Sequence, residues 1–230
     1  MWPFKPKMSI TPEDKEWTEA NILWLREQFG QHPDIITPTK DNFPSDFYGT
    51  ETDIKPILDF VCTQMMISVD DIELRFFDAS PLIDGIRMET EEDLPEGIYY
   101  QNDNGRHIIE LNNQQLADLT SVIATIAHEV AHIKLLTLGD PEEDEEYLTD
   151  LTAIYFGFGI FIGNSTFSFN QWQDEYHQKW SMKRTGYLPV EVTAYAIALL
   201  YPNSTNSDWT DYLKKDIKKQ VEQAHKFING

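Results

Sequence analysis

The chain has 230 residues, of which 18 are Lys or Arg, 39 are Asp or Glu and one is Cys. Its formal net charge of −21 repels phosphate backbones and argues against a nucleic-acid-binding function. A content of 41% hydrophobic and 13% aromatic residues supplies enough core material to exclude a disordered chain. The single cysteine excludes an internal disulfide and a zinc site made of cysteines alone.

Targeting and membrane segments are not indicated by the sequence. No apolar run typical of a signal peptide follows the lysines near residue 5, and the longest apolar stretch is 153–163. A membrane-spanning helix needs about 20 apolar residues, which is longer than this stretch. We therefore expect a cytoplasmic protein that has no membrane partner.

The first half of the chain predicts two helices followed by three strands. Thr11 is the expected N-cap of the first helix, and Gly30 is its expected terminator. The Asn104-Gly105 pair between two alternating segments predicts a β-hairpin, and the acidic segment 89–96 predicts a loop. The helices are predicted at Pro12–Phe29 and 53–65, and the strands at 72–77, 98–100 and 106–111.

The second half of the chain predicts helices only. A tight turn at Gly139, Asp140 and Pro141 makes the first two of them antiparallel. These helices are predicted at 114–138, 141 to about 162, 171–183, 189–200 and 208–228. We therefore expect a single α+β domain over 1–230. An α+β part with a small mixed sheet and a β-hairpin occupies 1–112, and a mainly helical part that carries the metal site occupies 113–230.

The residues with the clearest chemical meaning form an HExxH motif, His128-Glu129-Val130-Ala131-His132. Two imidazoles four residues apart on a helix point in the same direction and can bind one zinc ion, with Glu129 beside them. Given this composition, chance produces such a motif with a probability of about 1%. The helix around it is apolar on nearly all sides, so these polar groups need compensation for burial. A metal ion supplies it; an inward polar network without metal is the alternative.

The predicted antiparallel helices supply a candidate third ligand. At a rise of about 1.5 Å per residue, Glu146 is level with His132, and Asp150 is level with His128. Glu146 can therefore be the third metal ligand, and Asp150 can accept the outer N–H of His128. The following glycines, Gly157 among them, are expected to let the HExxH helix approach closely. The rival ligands are Glu142, Glu143 and Glu145.

The combination of HExxH with ExxxD, from Glu146 to Asp150, resembles the gluzincin branch of the zincin metallopeptidases. The resemblance covers about 106–157 and implies a zincin-like fold with one Zn²⁺. In that family the Glu of ExxxD is the third ligand, and the Asp orients a ligand histidine. The family also places an edge strand before the HExxH helix, where an extended substrate pairs, and 106–111 matches in position.

The resemblance implies hydrolysis of a peptide or protein substrate by a zinc-activated water, with Glu129 as the general base. A tetrahedral oxyanion needs a further donor, which gluzincins often take from a downstream residue. The sequence does not rank the candidates well. We expect His177 first, because an imidazole can donate to an oxyanion. The candidates are Tyr176, His177, Arg184, Tyr187 and Tyr195.

Two other functional classes compete with the peptidase. A zincin-like fold can retain its zinc and lack catalysis, or an acidic interaction protein can bind a basic partner. The sequence does not define the oligomeric state. His32 and His107 are expected to be ordinary exposed residues, and Cys62 is expected to be buried in its helix.

Overall fold

Helices and a small sheet make up the part of the chain that the computed structural model describes, which is residues 8–44, 46–78, 82–83, 86–87, 97–139, 145–174, 188–202 and 208–230. Its α-helices are α1 (Pro12–Phe29), α2 (Glu51–Met65), α3 (Leu119–Leu136), α4 (Glu145–Ala153), α5 (Gly159–Asp174), α6 (Val190–Leu200) and α7 (Lys215–Ile228). Its strands are β1 (Ile72–Phe77), β2 (Leu82–Ile83), β3 (Ile86–Arg87), β4 (Gly97–Gln101) and β5 (His107–Asn112). The α+β class is confirmed.

The helices and strands belong to two compact units. The first consists of Met1–Pro38 and Glu142–Gly230, and the second is Thr39–Pro141. The second unit contains the sheet together with α2 and α3, and the first contains the other helices. Folding as a single domain stays a prediction.

The sheet of the second unit has the strand order β1-β5-β4. β5 pairs in parallel with β1, with His107 opposite Ile72, and antiparallel with β4. The predicted hairpin is confirmed, but the expectation that 106–111 is an edge strand is wrong. Ile108 and Ile109 point to opposite faces and are both fully buried, as a central strand requires. The edges of this sheet, among its described strands, are β1 and β4.

Helices α2 and α3 form the helical part of the second unit. A capping box between Thr50 and Asp53 starts α2, which buries one apolar stripe. Cys62 lies in that stripe, as expected, and burial raises the pKa of its thiol to about 12. Helix α3 begins later than the predicted residue 114, because the Asp118 side chain accepts a hydrogen bond from Thr120 N and caps it there.

In the first unit, α1 has the predicted boundaries, with Thr11 as its N-cap. The helix predicted at 141–162 is instead interrupted by a π-helical turn at Ile154–Phe158, in which Gly157 has a φ of 103°. Gly157 O accepts a hydrogen bond from Ile36 N, and a Cβ on Gly157 would lie 2.9 Å from Asp34 O. Residues 34–36 therefore occupy the space beside Gly157, and the close approach of the HExxH helix to these glycines stays a prediction.

The last predicted helix, 208–228, consists of a 3-10 turn at Asp208–Tyr212 followed by α7. The break comes at Lys214, whose N–H donates to Asn164 Oδ1 at 2.7 Å. The helix predicted at 171–183 is described as far as Asp174, the end of α5. The rest of it, the acidic segment 89–96 and the turn at residues 140–141 lie outside the described residues.

One helix of the described part, α3, is long and apolar enough to cross a membrane by length and composition alone. Protein atoms bury 72% of that segment, and the core helix of a soluble protein meets the same criterion. This finding is weak evidence for a membrane span. A cytoplasmic location stays a prediction from the sequence.

His225 on α7 makes the stability of the first unit depend on pH. Its side chain is 6% exposed, and its Nε2 lies 3.1 Å from the Tyr201 carbonyl oxygen. Burial lowers the pKa of this imidazole, while hydrogen bonds to the Tyr201 and Ala198 backbones and the Glu222 charge oppose the shift. The unfolded chain therefore binds this proton more tightly than the folded chain. His225 contributes stability above its unfolded pKa of about 6.5, and that stability is lost as the pH falls towards the lower folded pKa.

We expect His225→Gln to reduce the loss of unfolding free energy between about pH 6.5 and 5, because glutamine keeps an N–H donor but does not titrate. Urea denaturation at a series of pH values measures this loss in both proteins. Equal losses in the wild type and the variant would contradict the assignment.

Candidate metal centre

Helix α3 carries the HExxH residues on a segment that is buried on nearly all sides. His128 is 7% exposed and Glu129 is 5% exposed, whereas His132 is half-buried. The surrounding side chains from Val122 to Leu135 are mostly apolar and buried. The predicted burial of the motif is confirmed, so its polar groups need compensation from partners or from an ion.

The two histidines present their nitrogens to each other. His128 Nε2 and His132 Nε2 are 3.1 Å apart, and the two rings are nearly perpendicular, at 83°. Two nitrogen ligands at about 2.0–2.1 Å from one tetrahedral zinc ion would lie about 3.3 Å apart. The pair is therefore already spaced as two ligands of one ion would be.

Glu146, on α4, completes a group that could hold a metal ion. One ligand atom from each of His128, His132 and Glu146 lies within 4.8 Å of the other two. Of the three, His128 is buried, His132 is half-buried and Glu146 is exposed. Two imidazole nitrogens and one carboxylate oxygen suit zinc and several other divalent ions, and they leave a coordination position open.

Strand β4 packs directly against the motif. A Cβ built on Gly97 would lie 2.7 Å from Glu129 Oε1 and 2.5 Å from Thr125 Cγ2, so only glycine fits there. Two residues further along the same face, Tyr99 stacks on His132, with ring centroids 5.9 Å apart and planes 12° apart. The predicted strand 98–100 contained Tyr99 but not Gly97, so the sequence carried no signal for the Gly97 contact.

His107 is held by a neighbour on the sheet. The Tyr99 hydroxyl lies 2.9 Å from His107 Nδ1, and the expectation of an exposed residue is wrong because the ring is half-buried. Burial lowers the pKa of His107, although the Asp71 charge opposes the shift. The ring is therefore neutral at pH 7.

Asp150 is fully buried on α4, and its Oδ2 accepts a hydrogen bond from Leu188 N at 2.9 Å. This bond ties the chain just before α6 to α4. The hydrogen bond expected from His128 to Asp150 stays a prediction.

The candidates for the oxyanion donor lie mostly beyond the described residues. Tyr195 is the exception: its buried hydroxyl donates to Glu19 Oε1 at 2.7 Å, and burial raises its pKa. The Tyr195 hydroxyl is therefore bound to a carboxylate of α1, and its role as an oxyanion donor stays a prediction. The candidates outside the described residues are Tyr176, His177, Arg184 and Tyr187.

No protein-family model, curated protein or solved structure matches the chain. Its function therefore has to be inferred from its own residues. Those residues provide a group of two imidazoles and one carboxylate that could hold a metal ion, with a buried glutamate next to the first imidazole.

Proposed function

We propose that the protein is a zinc-dependent metallopeptidase with a zincin-like architecture. The observation that carries the proposal is the grouping of His128, His132 and Glu146, whose ligand atoms lie within 4.8 Å of one another. The placement of Glu129 directly after the first of these histidines adds the proton acceptor that hydrolysis requires.

The donor set fits one Zn²⁺, which His128, His132 and Glu146 would hold. When bound, the ion supplies Lewis-acid polarisation of the scissile carbonyl and lowers the pKa of water. Glu129 takes the proton from the attacking water and delivers it to the leaving amine. Its low exposure, 5%, strengthens the electrostatic effect of its charge in this step.

The substrate proposed is a peptide in extended form. β4 is one of the two edge strands of the described three-stranded sheet, and its residues Gly97 and Tyr99 contact the HExxH helix. An extended peptide can add to such an edge through main-chain hydrogen bonds. We therefore propose β4 for this role, which the family resemblance implied for 106–111.

A zinc-binding protein without catalysis is the second candidate, because both His128 and Glu129 are less than one-tenth exposed. A site with so little exposure is also suited to a structural ion. Substrate cleavage separates the two functions.

Metal removal tests the proposal. We expect the full chain, purified after zinc-replete expression, to contain about one zinc per chain and to cleave members of a broad peptide library. Chelation should abolish cleavage, and added zinc should restore it. Elemental analysis and mass spectrometry of the peptides provide the measurements.

His128→Ala should lose both zinc and cleavage. His32→Ala is the matched control, because His32 lies outside the metal-binding group and bonds to its neighbour Pro33. Absence of zinc in the wild type would contradict the metal centre. Stoichiometric zinc without any cleavage would favour the non-catalytic function.

A further inference from the structure

The His132 imidazole has an aromatic neighbour on the sheet. The Tyr99 ring is nearly parallel to it, with planes 12° apart and centroids separated by 5.9 Å. His132 is half-buried, whereas His128 is 7% exposed, so the surrounding core restrains His132 less. A ligand histidine needs a fixed ring orientation, which neighbouring groups usually impose. The Tyr99 face restrains the ring plane of His132.

Tyr99 is itself fixed on the sheet. Its hydroxyl lies 2.9 Å from His107 Nδ1, and the two rings lie 5.7 Å apart. Tyr99 pairs with Ile109 across the β4–β5 ladder, so His107 is its diagonal neighbour on the same face. A neutral His107 with its proton on Nε2 accepts the phenolic hydrogen at Nδ1.

We propose that Tyr99 is a positioning residue that holds the His132 imidazole in the orientation needed to bind the metal, and that His107 anchors Tyr99. The inference rests on the proposed metal centre. A hydrogen bond from a carboxylate commonly fixes the orientation of a ligand histidine; here we propose that the stack with Tyr99 does so. Tyr99 meets the proposed metal site at the His132 ring, so its role is to position that ligand rather than to bind the ion.

Zinc affinity is the first test, measured by competition with a chromogenic chelator. Tyr99→Ile, which suits a strand but removes the ring, should raise the zinc Kd about tenfold. Tyr99→Phe keeps the stack but loses the hydroxyl that His107 holds, so it should raise the Kd by only about threefold. Tyr100→Leu is the matched control, since Tyr100 lies on the opposite face of β4 and bonds to Glu110. An unchanged Kd in Tyr99→Ile would overturn the proposal.

Ring currents provide a second readout that needs no metal. In the apo protein with labelled histidines, stacking on Tyr99 should displace the His132 ring-proton signals by NMR. Tyr99→Phe should retain the displacement and Tyr99→Ile should lose it. If the wild type binds no zinc, the proposed function fails, and the role in metal binding fails with it. An unchanged His132 spectrum in a folded Tyr99→Ile protein would overturn the positioning role even if zinc binds.

Discussion

Glu129→Gln should bind zinc as tightly as the wild type and hydrolyse peptides about 10²–10⁴ times more slowly. The amide has the shape of the carboxylate, so it preserves the packing against Gly97. It does not accept a proton from water at neutral pH, so the general-base step is lost. None of the three proposed metal ligands changes.

The measurement combines zinc content with kcat/KM on a peptide found in the library screen. Glu110→Gln is the matched control: it makes the same charge change in the second unit, at a carboxylate that accepts from the Tyr100 hydroxyl at 2.7 Å. We expect that control to retain the wild-type rate. If zinc-loaded Glu129→Gln retained more than about a tenth of the wild-type rate, Glu129 would not be the base.

The sequence could predict the features that depend on neighbours along the chain. Thr11 and Gly30 are local helix signals, and α1 has the predicted boundaries. The burial of His128 and Glu129 followed from the apolar residues around them on one helix. The grouping of Glu146 with the two histidines was also foreseen, because ligand spacing on two successive helices is a local property.

Features set by distant residues were missed. Nothing local says that β1 pairs with β5 and thereby makes β5 central, because the two are more than 30 residues apart. Likewise, the break at Gly157 depends on Ile36, a partner far away in the sequence. The contact of Gly97 with Glu129 belongs to the same class, since strand spacing does not reveal which helix covers a face.

Gly97→Ala should slow hydrolysis about 10²-fold, because a displacement of about 1 Å at a catalytic group has that effect. The new Cβ would lie 2.7 Å from Glu129 Oε1 and 2.5 Å from Thr125 Cγ2, so we expect Glu129 to be displaced. Overpacking of this kind also lowers the free energy of unfolding by about 1–3 kcal/mol. Kinetics and urea denaturation measure the two effects separately.

A second substitution distinguishes the loss of stability from the loss of activity. Adding Thr125→Ser to the Gly97→Ala protein removes Cγ2 and with it the closer of the two clashes. The double variant should therefore regain part of the lost free energy of unfolding. Hydrolysis should stay slow, because the clash with Glu129 remains. Gly105→Ala is the control for a loss of stability without a clash near Glu129. The φ of Gly105 is +76°, so alanine there lowers the stability, but its Cβ would meet nothing within 4 Å. Wild-type activity in Gly97→Ala would mean that β4 does not fix the position of Glu129.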